Sequence, residues 1–349
     1  MATLRSNPGP PGNCTLLVTE PRCGETVRAE LKKHGLRAKN LRPTSPPARA
    51  RLPAFPVADT GSARMLREEL LSACRGLAEL IEAECLHVER VEPPVSYVLV
   101  GPVAIVSLDE RVRGREREVA EQLLRIPGVR AVYGKEATEG EYRVQRLVHL
   151  AGERLEEVVY REHGLEIPIP LGRVYINPRL ATEHMRVAEM TAADDTVLDM
   201  FAGWGGFPLV ISKLGRARLV VANDANPWAI ATLARALERN RGKLKTPIIP
   251  VMADAALLPE LLRPVFTRII MNLPHSSKQY LPAALKLCSP RGCTIHLYTV
   301  ASSPEEAAEG ITVGEVARIV KVLDYAPYKY IYRVDLKLEG REKNPSTIG

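Results

Sequence analysis

The sequence predicts an α/β fold: an open, mostly parallel sheet in the C-terminal half, preceded by an α+β block and a small basic N-terminal module. Three observations predict it. From about Tyr175 onward, short apolar runs alternate with segments of helical spacing, the pattern of a doubly wound sheet. Two of those runs end in glycine- or proline-rich punctuation, Asp199-Met-Phe-Ala-Gly-Trp-Gly-Gly206 and Met271-Asn-Leu-Pro274. Residues 1–60 hold ten Lys/Arg against four Asp/Glu, so a surplus of six out of a net charge of +7 sits in the first sixth of the chain.

The elements follow in order. Residues 15–18 read as a short strand. Residues 24–34 have helical spacing through Val27 and Leu31, and Gly35 supplies a left-handed cap. Five prolines in 42–56 make a linker, with a strand at 54–57. Residues 66–85 read as helix, with Leu66, Leu70, Leu71, Leu77, Leu80 and Ile81 as its apolar stripe. Valine-rich runs at 95–100 and 103–106 flank Gly101-Pro102 as a strand pair. A charged amphipathic helix is expected at 110–124, then strands at 129–132, 143–150, 156–160 and 165–168. Beyond that, strands at 196–200, 219–223, 248–252, 268–271 and 293–299 alternate with helices at 183–190, 206–213, 227–240 and 275–287. Runs at 320–325 and 330–338 close the series as an antiparallel pair. The expected domains are 1–60, 61–170 and 171–340, with 341–349 a tail.

Composition excludes some classes. With 46% hydrophobic and 26% charged residues the chain has the make-up of a globular protein. No apolar run reaches the ~18 residues of a membrane span, and the Gly/Pro-rich start carries no apolar signal segment. The reading is cytoplasmic, with no membrane partner. Six cysteines form no Cys-x-x-Cys pair and no histidine cluster accompanies them, so no metal is expected. Buried thiols are expected, a disulfide only in a protein from a very hot environment. The basic N-terminal surplus fits contact with a phosphate backbone; a solubilising arm is the plainer alternative.

In an open parallel sheet the ligand lies outside the C-terminal strand ends. Asp199, Asp224, Asp254 and Asn272 fall at or just after four such ends. Gly203 and Gly205 let the backbone approach a ligand and turn into the next helix. Asp224, 25 residues beyond Asp199, is placed to accept ribose hydroxyls. Asp254 is placed to accept from an adenine amino group. Any one of these aspartates could equally be a helix cap; the ordered set is the signal. A dinucleotide site would need Gly-x-Gly-x-x-Gly, and the third glycine is missing. An amino-acid-type cofactor tail fits better, and the Asn-Leu-Pro corner suits presentation of a planar base nitrogen to a methyl donor.

The stretch Tyr175-Ile-Asn-Pro-Arg-Leu-Ala-Thr-Glu-His-Met-Arg-Val-Ala-Glu189, with Asp199-Met-Phe-Ala-Gly and Met271-Asn-Leu-Pro274, resembles the archaeal and eukaryotic tRNA (guanine-N1)-methyltransferases. These act on the guanosine 3′ of the anticodon, position 37. The resemblance covers about residues 90–338, with weaker similarity at 20–60. It implies a class I Rossmann-like methyltransferase sheet, an α+β middle domain, a small N-terminal tRNA-binding domain, S-adenosylmethionine as donor and tRNA as partner; a monomer is the expected state. It implies Glu183 as general base and Arg143 as the cation on guanine O6. It places Asn272 and Pro274 at the corner where donor and base meet, and Tyr175 and Arg179 on the flipped base. It matches Asp224, Asp254 and Asn272 to donor contacts; Asp199, Phe201, Gly203, Gly205, Asn226 and Ala255 on the same rim are expected to join them. Many archaeal members have arginine after the glutamate where this chain has His184, which is assigned to the donor's carboxylate end with a weaker, pH-dependent grip.

The chemistry wants these residue types. Guanine N1 carries a proton, and the electrons released on its removal spread onto O6. A carboxylate near N1 and a cation near O6 meet both needs, and N1 on the pairing edge requires the base to be swung out of its stack. The plainer readings are a first-turn acid for Glu183, a charged strand position for Arg143 and core packing for Tyr175. Rival functions are a wyosine-pathway transferase using the same donor, whether aminocarboxypropyl or bifunctional methyl, and a non-catalytic RNA-binding relative.

Overall fold

The computed structural model describes residues 95–139 and 144–340 continuously. Before residue 95 it describes only 3–4, 12–19, 41–43, 54–57, 78–87, 90–91 and single positions between them. The chain forms two compact units, residues 1–95 with 117–129, and residues 96–116 with 130–349.

In the first unit β1 (Thr3–Leu4) pairs with β6 (Arg90–Val91). A four-stranded antiparallel sheet contains β2 (Gly12–Thr19), β3 (Leu41–Pro43), β4 (Ala54–Pro56) and β5 (Ala78–His87) in the order β3-β5-β2-β4. Val27 and Leu31 are helical and buried, as their spacing predicts. Two expectations fail here. Residues 78–85 are strand, because pairing with β2 on one edge and β3 on the other overrides the helix propensity of a Leu/Ala/Glu-rich run. A domain boundary at 60 would cut the ladder between β2 and β5, whose register runs from Gly12↔Cys85 to Thr19↔Ala78. The rest of the expected helix, 66–77, lies outside the described residues apart from their neighbours at 62 and 64. Cys14 is disulfide-bonded rather than a free buried thiol. Helix α1 (Glu116–Leu124) belongs mainly to this unit and starts later than 110, since 109–114 form turns.

The second unit opens with β7 (Tyr97–Val100), β8 (Val103–Ser107), β9 (Ala131–Glu139) and β10 (Val144–Gly152) in the order β10-β9-β8-β7. A hairpin, β11 (Glu157–Glu162) and β12 (Leu165–Pro170), follows. Then come α2 (Ala181–Met190), β13 (Thr196–Asp199), α3 (Gly206–Leu214), β14 (Leu219–Asn223), α4 (Pro227–Arg239) and β15 (Ile248–Val251). The chain continues through α5 (Leu258–Leu261), β16 (Arg268–Met271), α6 (Ser277–Leu287), β17 (Gly292–Ala301), α7 (Pro304–Ala308), β18 (Glu315–Ala326) and β19 (Lys329–Glu339).

The seven-stranded sheet has the order β15-β14-β13-β16-β17-β19-β18, parallel except for β19. Its central strands are buried on both faces, which is why they read as unbroken apolar runs. Alternate residues go to opposite faces: Val197, Ile270 and Tyr298 join Val187 and Phe207 in one core, while Leu198, Ile269 and Leu297 join Leu281 and Leu287 in the other. Strand order reverses at β13, whose neighbours are β14 and β16. That reversal opens the crevice where a ligand fits.

Candidate functional site

The crevice is closed at its base by the turn from Asp199 to Gly206. Asp199 Oδ1 accepts from the Phe201 N–H at 3.1 Å, and its Oδ2 is buried with no donor. Burial pushes this carboxyl up to about 8, against the pull of the Phe201 N–H, and Asp224 nearby adds to the rise. Asp224 receives the N–H groups of Gly203 at 2.7 Å and Asn226 at 2.8 Å, and burial raises it too. Asn223 Nδ2 donates to the carbonyls of Met200 and Ala253, at 3.0 and 3.1 Å, and so ties three strand ends together. Gly205 has φ +96°, and a Cβ there would lie 2.5 Å from Leu233 Cδ1. Gly203 has φ +55° with open space where a Cβ would stand.

The other expected crevice residues have visible local duties. Phe201 meets the Tyr280 ring edge-on at 5.0 Å. Asn226 is buried, caps α4 through the Trp228 N–H, and donates to the Arg173 carbonyl. Asp254 is exposed and caps the turn at Ala255–Leu257 through the Ala256 N–H; Ala255 is buried beneath it. The corner at Asn272 is pinned on both sides. The Ser277 hydroxyl donates to the Met271 carbonyl at 2.7 Å and accepts the Leu273 N–H at 3.1 Å. The Val300 N–H donates to the Pro274 carbonyl at 3.1 Å, which fixes the corner to β17.

Glu183, in the first turn of α2, is 1% exposed. Its Oε1 accepts the Tyr298 hydroxyl at 2.9 Å and an N–H of Arg333. Its Oε2 has no hydrogen-bond partner; Arg186 approaches it to 3.5 Å. Arg333 and Tyr298 are site residues that sequence reasoning missed. The signal was present in the alternation of charge along a buried strand, Arg333 and then Asp335 among apolar neighbours.

His184 departs from expectation. It is buried, with Nδ1 2.6 Å from Glu162 Oε1, and its ring packs edge-on against Trp204 and Phe207. A Cβ on Gly206 would lie 2.5 Å from its Cε1. The ring therefore supports the glycine turn from behind instead of presenting a charge to a ligand. Tyr175 and Arg179 are exposed, and the Arg179 N–H donates to Asn177 Oδ1. Arg143 lies outside the described residues.

A buried carboxylate oxygen without a donor, beside a second carboxylate, is the chemistry of a site for a cationic ligand. A sulfonium donor with an ammonium-bearing tail fits such a site. Among the described residues there is no cluster of His, Cys, Asp or Glu suited to a metal ion, and no helix is long and apolar enough to cross a membrane.

Residues 158–325 match the TRM5/TYW2 methyltransferase domain, and residues 77–155 match the TYW2 N-terminal domain. The chain is 34% identical over 260 residues to the tRNA (guanine(37)-N(1))-methyltransferase Trm5b of Pyrococcus abyssi, covering 70% of this chain and 75% of that one. It is 31% identical over 248 residues to the tRNA 4-demethylwyosine(37)-methyltransferase Taw21 of Saccharolobus solfataricus, covering 68% and 92%. Among solved structures, that of aTrm5 in complex with tRNALeu superposes with a TM-score of 0.62 at 26% identity, covering 93% of this chain and all of that one.

Proposed function

The chain belongs to the TRM5/TYW2 methyltransferase family, and from that premise we propose that it transfers the methyl group of S-adenosylmethionine to N1 of guanosine 37 in tRNA. The observation that carries the reading is Glu183: a buried carboxylate, anchored at Oε1 and without a hydrogen-bond donor at Oε2, where only the Arg186 guanidinium approaches, to 3.5 Å, and tied to β17 beside the Asn272–Pro274 corner.

Bound S-adenosylmethionine supplies a methyl group already activated by its sulfonium. The protein's share is alignment and proton chemistry. Glu183 Oε2 takes the N1 proton as N1 bonds to the methyl carbon and the carbon–sulfur bond breaks, leaving a neutral thioether. Arg143 carries the charge that moves onto O6. Asn272 and Pro274 set the plane of the base, and Tyr175 and Arg179 hold it out of its stack. Asp199, Asp224 and Asp254 orient the donor. The chain works as a monomer in the cytoplasm, and its basic N-terminal residues hold the tRNA backbone. Replacing Lys32, Lys33 and Arg37 with alanine should then weaken tRNA binding and flatten its salt dependence, with donor affinity unchanged.

A second reading is favoured by the match of residues 77–155 to the TYW2 N-terminal domain: transfer of the donor's aminocarboxypropyl group, or methylation of a wyosine intermediate. Mass spectrometry of nucleosides from tRNA incubated with protein and donor separates them. N1-methylguanosine supports the first reading; an aminocarboxypropyl adduct, or product only from pre-modified tRNA, overturns it.

A further inference from the structure

Tyr298 and Arg333 stand opposite each other in the ladder between β17 and β19, and His296 and Asp335 stand opposite each other two residues along it. With this spacing all four side chains leave the same face of the sheet. That face is the one on which α2 brings Glu183, and the row of contacts is continuous. Arg333 donates to Glu183 Oε1 from one side and to both oxygens of Asp335, at 2.7 and 3.1 Å, from the other. His296 Nδ1 lies 2.6 Å from Asp335 Oδ1, and its Nε2 lies 2.6 Å from an Arg268 N–H. Arg268 donates to Asp195 at 2.9 Å and to the Met190 carbonyl at 2.9 Å, and the Thr267 hydroxyl donates to Asp195 at 2.6 Å.

The direction of each link is determined. A guanidinium cannot accept, so His296 accepts from Arg268 at Nε2 and donates to Asp335 from Nδ1. That is the neutral ring, and burial favours it. Asp335 and Glu183 hold Arg333 charged although burial alone would lower its pKa. Nothing in the row can turn or change charge without breaking a buried contact.

Burying so many charges is costly, and an apolar face of equal volume would hold α2 as well or better. An apolar face could not fix the rotation of the Glu183 carboxylate. We propose that Arg333 and Tyr298 are positioning residues for the general base. They occupy Oε1, so Oε2, which has no hydrogen bond and only the Arg186 charge 3.5 Å away, is the oxygen left to take the proton, and the row through Asp335, His296, Arg268 and Asp195 holds Arg333 in place. The proposal rests on the reading of Glu183 as the base.

The test is single-turnover methyl transfer, with protein in excess over a tRNA transcript, beside calorimetry with S-adenosylmethionine and thermal melting. Tyr298→Phe keeps the ring and removes one donor. Its rate is expected to fall roughly tenfold while donor and tRNA affinity stay at wild-type values and the melting temperature falls by a few degrees at most. Arg333→Lys keeps the charge but loses the planar fork, so its rate should fall further, on the order of 100-fold. Arg333→Met should be slower still, so that the rank order reports restoration by the conservative variant. Wild-type rates in both Tyr298→Phe and Arg333→Lys overturn the proposal. So do rates that fall only in step with donor affinity or melting temperature. A wild-type chain that leaves guanosine N1 unmethylated overturns the assignment of the base, and this inference with it.

Discussion

The hydroxyl of Tyr325 lies 3.0 Å from Nε2 of His275, and the two rings meet edge to face with centroids 5.1 Å apart. His275 follows the Asn-Leu-Pro corner directly, and Tyr325 sits near the end of β18. The contact therefore ties the hairpin between β18 and β19 to the corner where base and donor are proposed to meet. Asp324, next to Tyr325, pairs with Lys321 at 2.8 Å, which holds its carboxyl below the usual range, and the Arg179 charge adds a smaller pull in the same direction. At the tip Tyr328 is 84% exposed with φ +57°, a backbone conformation rarely adopted outside glycine. An exposed ring of this kind suits stacking on an unpaired base. Tyr328→Ala is expected to raise KM for tRNA about fivefold, the low end of the value of one stacked base, with donor affinity unchanged. Steady-state kinetics with varied tRNA check it. Tyr325→Ala should lower kcat as well, because it releases the corner.

The state of Asp199 gives a pH prediction. Burial holds its proton up to about 8 in the free protein. A cationic donor tail needs the carboxylate, so binding near neutral pH must release that proton. Donor affinity should therefore rise with pH by up to about tenfold per unit below 8 and level off above it. Titrations in buffers of different ionisation enthalpy would show the released proton. Stability runs the other way. The native state keeps a proton that the unfolded chain loses near 3.8, so stability falls as pH rises from there to about 8. Asp199→Asn should abolish both slopes; if the affinity slope survives in that variant, Asp199 is not its source.

The two glycines of the turn should separate stability from binding. Gly205→Ala forces a left-handed alanine and places its Cβ 2.5 Å from Leu233 Cδ1. A cost of about 1–3 kcal/mol is expected, a drop of several degrees in melting temperature. Gly203→Ala meets no atom within 4 Å, so only the backbone cost of about 1 kcal/mol applies. Its methyl would stand in open space at the turn, and the larger effect should be on donor affinity. Calorimetry and melting on both variants check the pair. Equal donor affinities would place the ligand elsewhere.

The strand ends were legible because each buried run of the parallel sheet is apolar and each polar rim residue breaks it. Asp199, Asp224, Asp254 and Asn272 could be read from punctuation alone. The partner of Glu183 could not. Arg333 lies 150 residues downstream, and the ladder that brings it back is a tertiary fact. The strand at 78–87 was illegible for the opposite reason. Its residues have genuine helix propensity, and only pairing with β2 and β3 overrides it. Residues 41–43 were hidden in the same way by the prolines that suggested a linker.

His184 shows how adjacency in sequence can mislead. Consecutive helical residues point about 100° apart, so Glu183 faces Tyr298 and Arg333 while His184 faces Glu162 and the glycine turn. A donor-binding arginine at this place would have to leave the pocket that the imidazole fills. His184→Arg is therefore expected to lower stability by about 2–3 kcal/mol, the cost of overpacking a filled core site, and to leave donor affinity no better than wild type. The Trp204 and Phe207 rings and the backbone at Gly206 leave no room for the longer chain. Glu162→Gln should be milder, since an amide oxygen still accepts from the ring at the same place. Melting temperatures and donor titrations on the two variants check both. A His184→Arg protein of wild-type stability with tighter donor binding would mean that this side chain does reach the crevice.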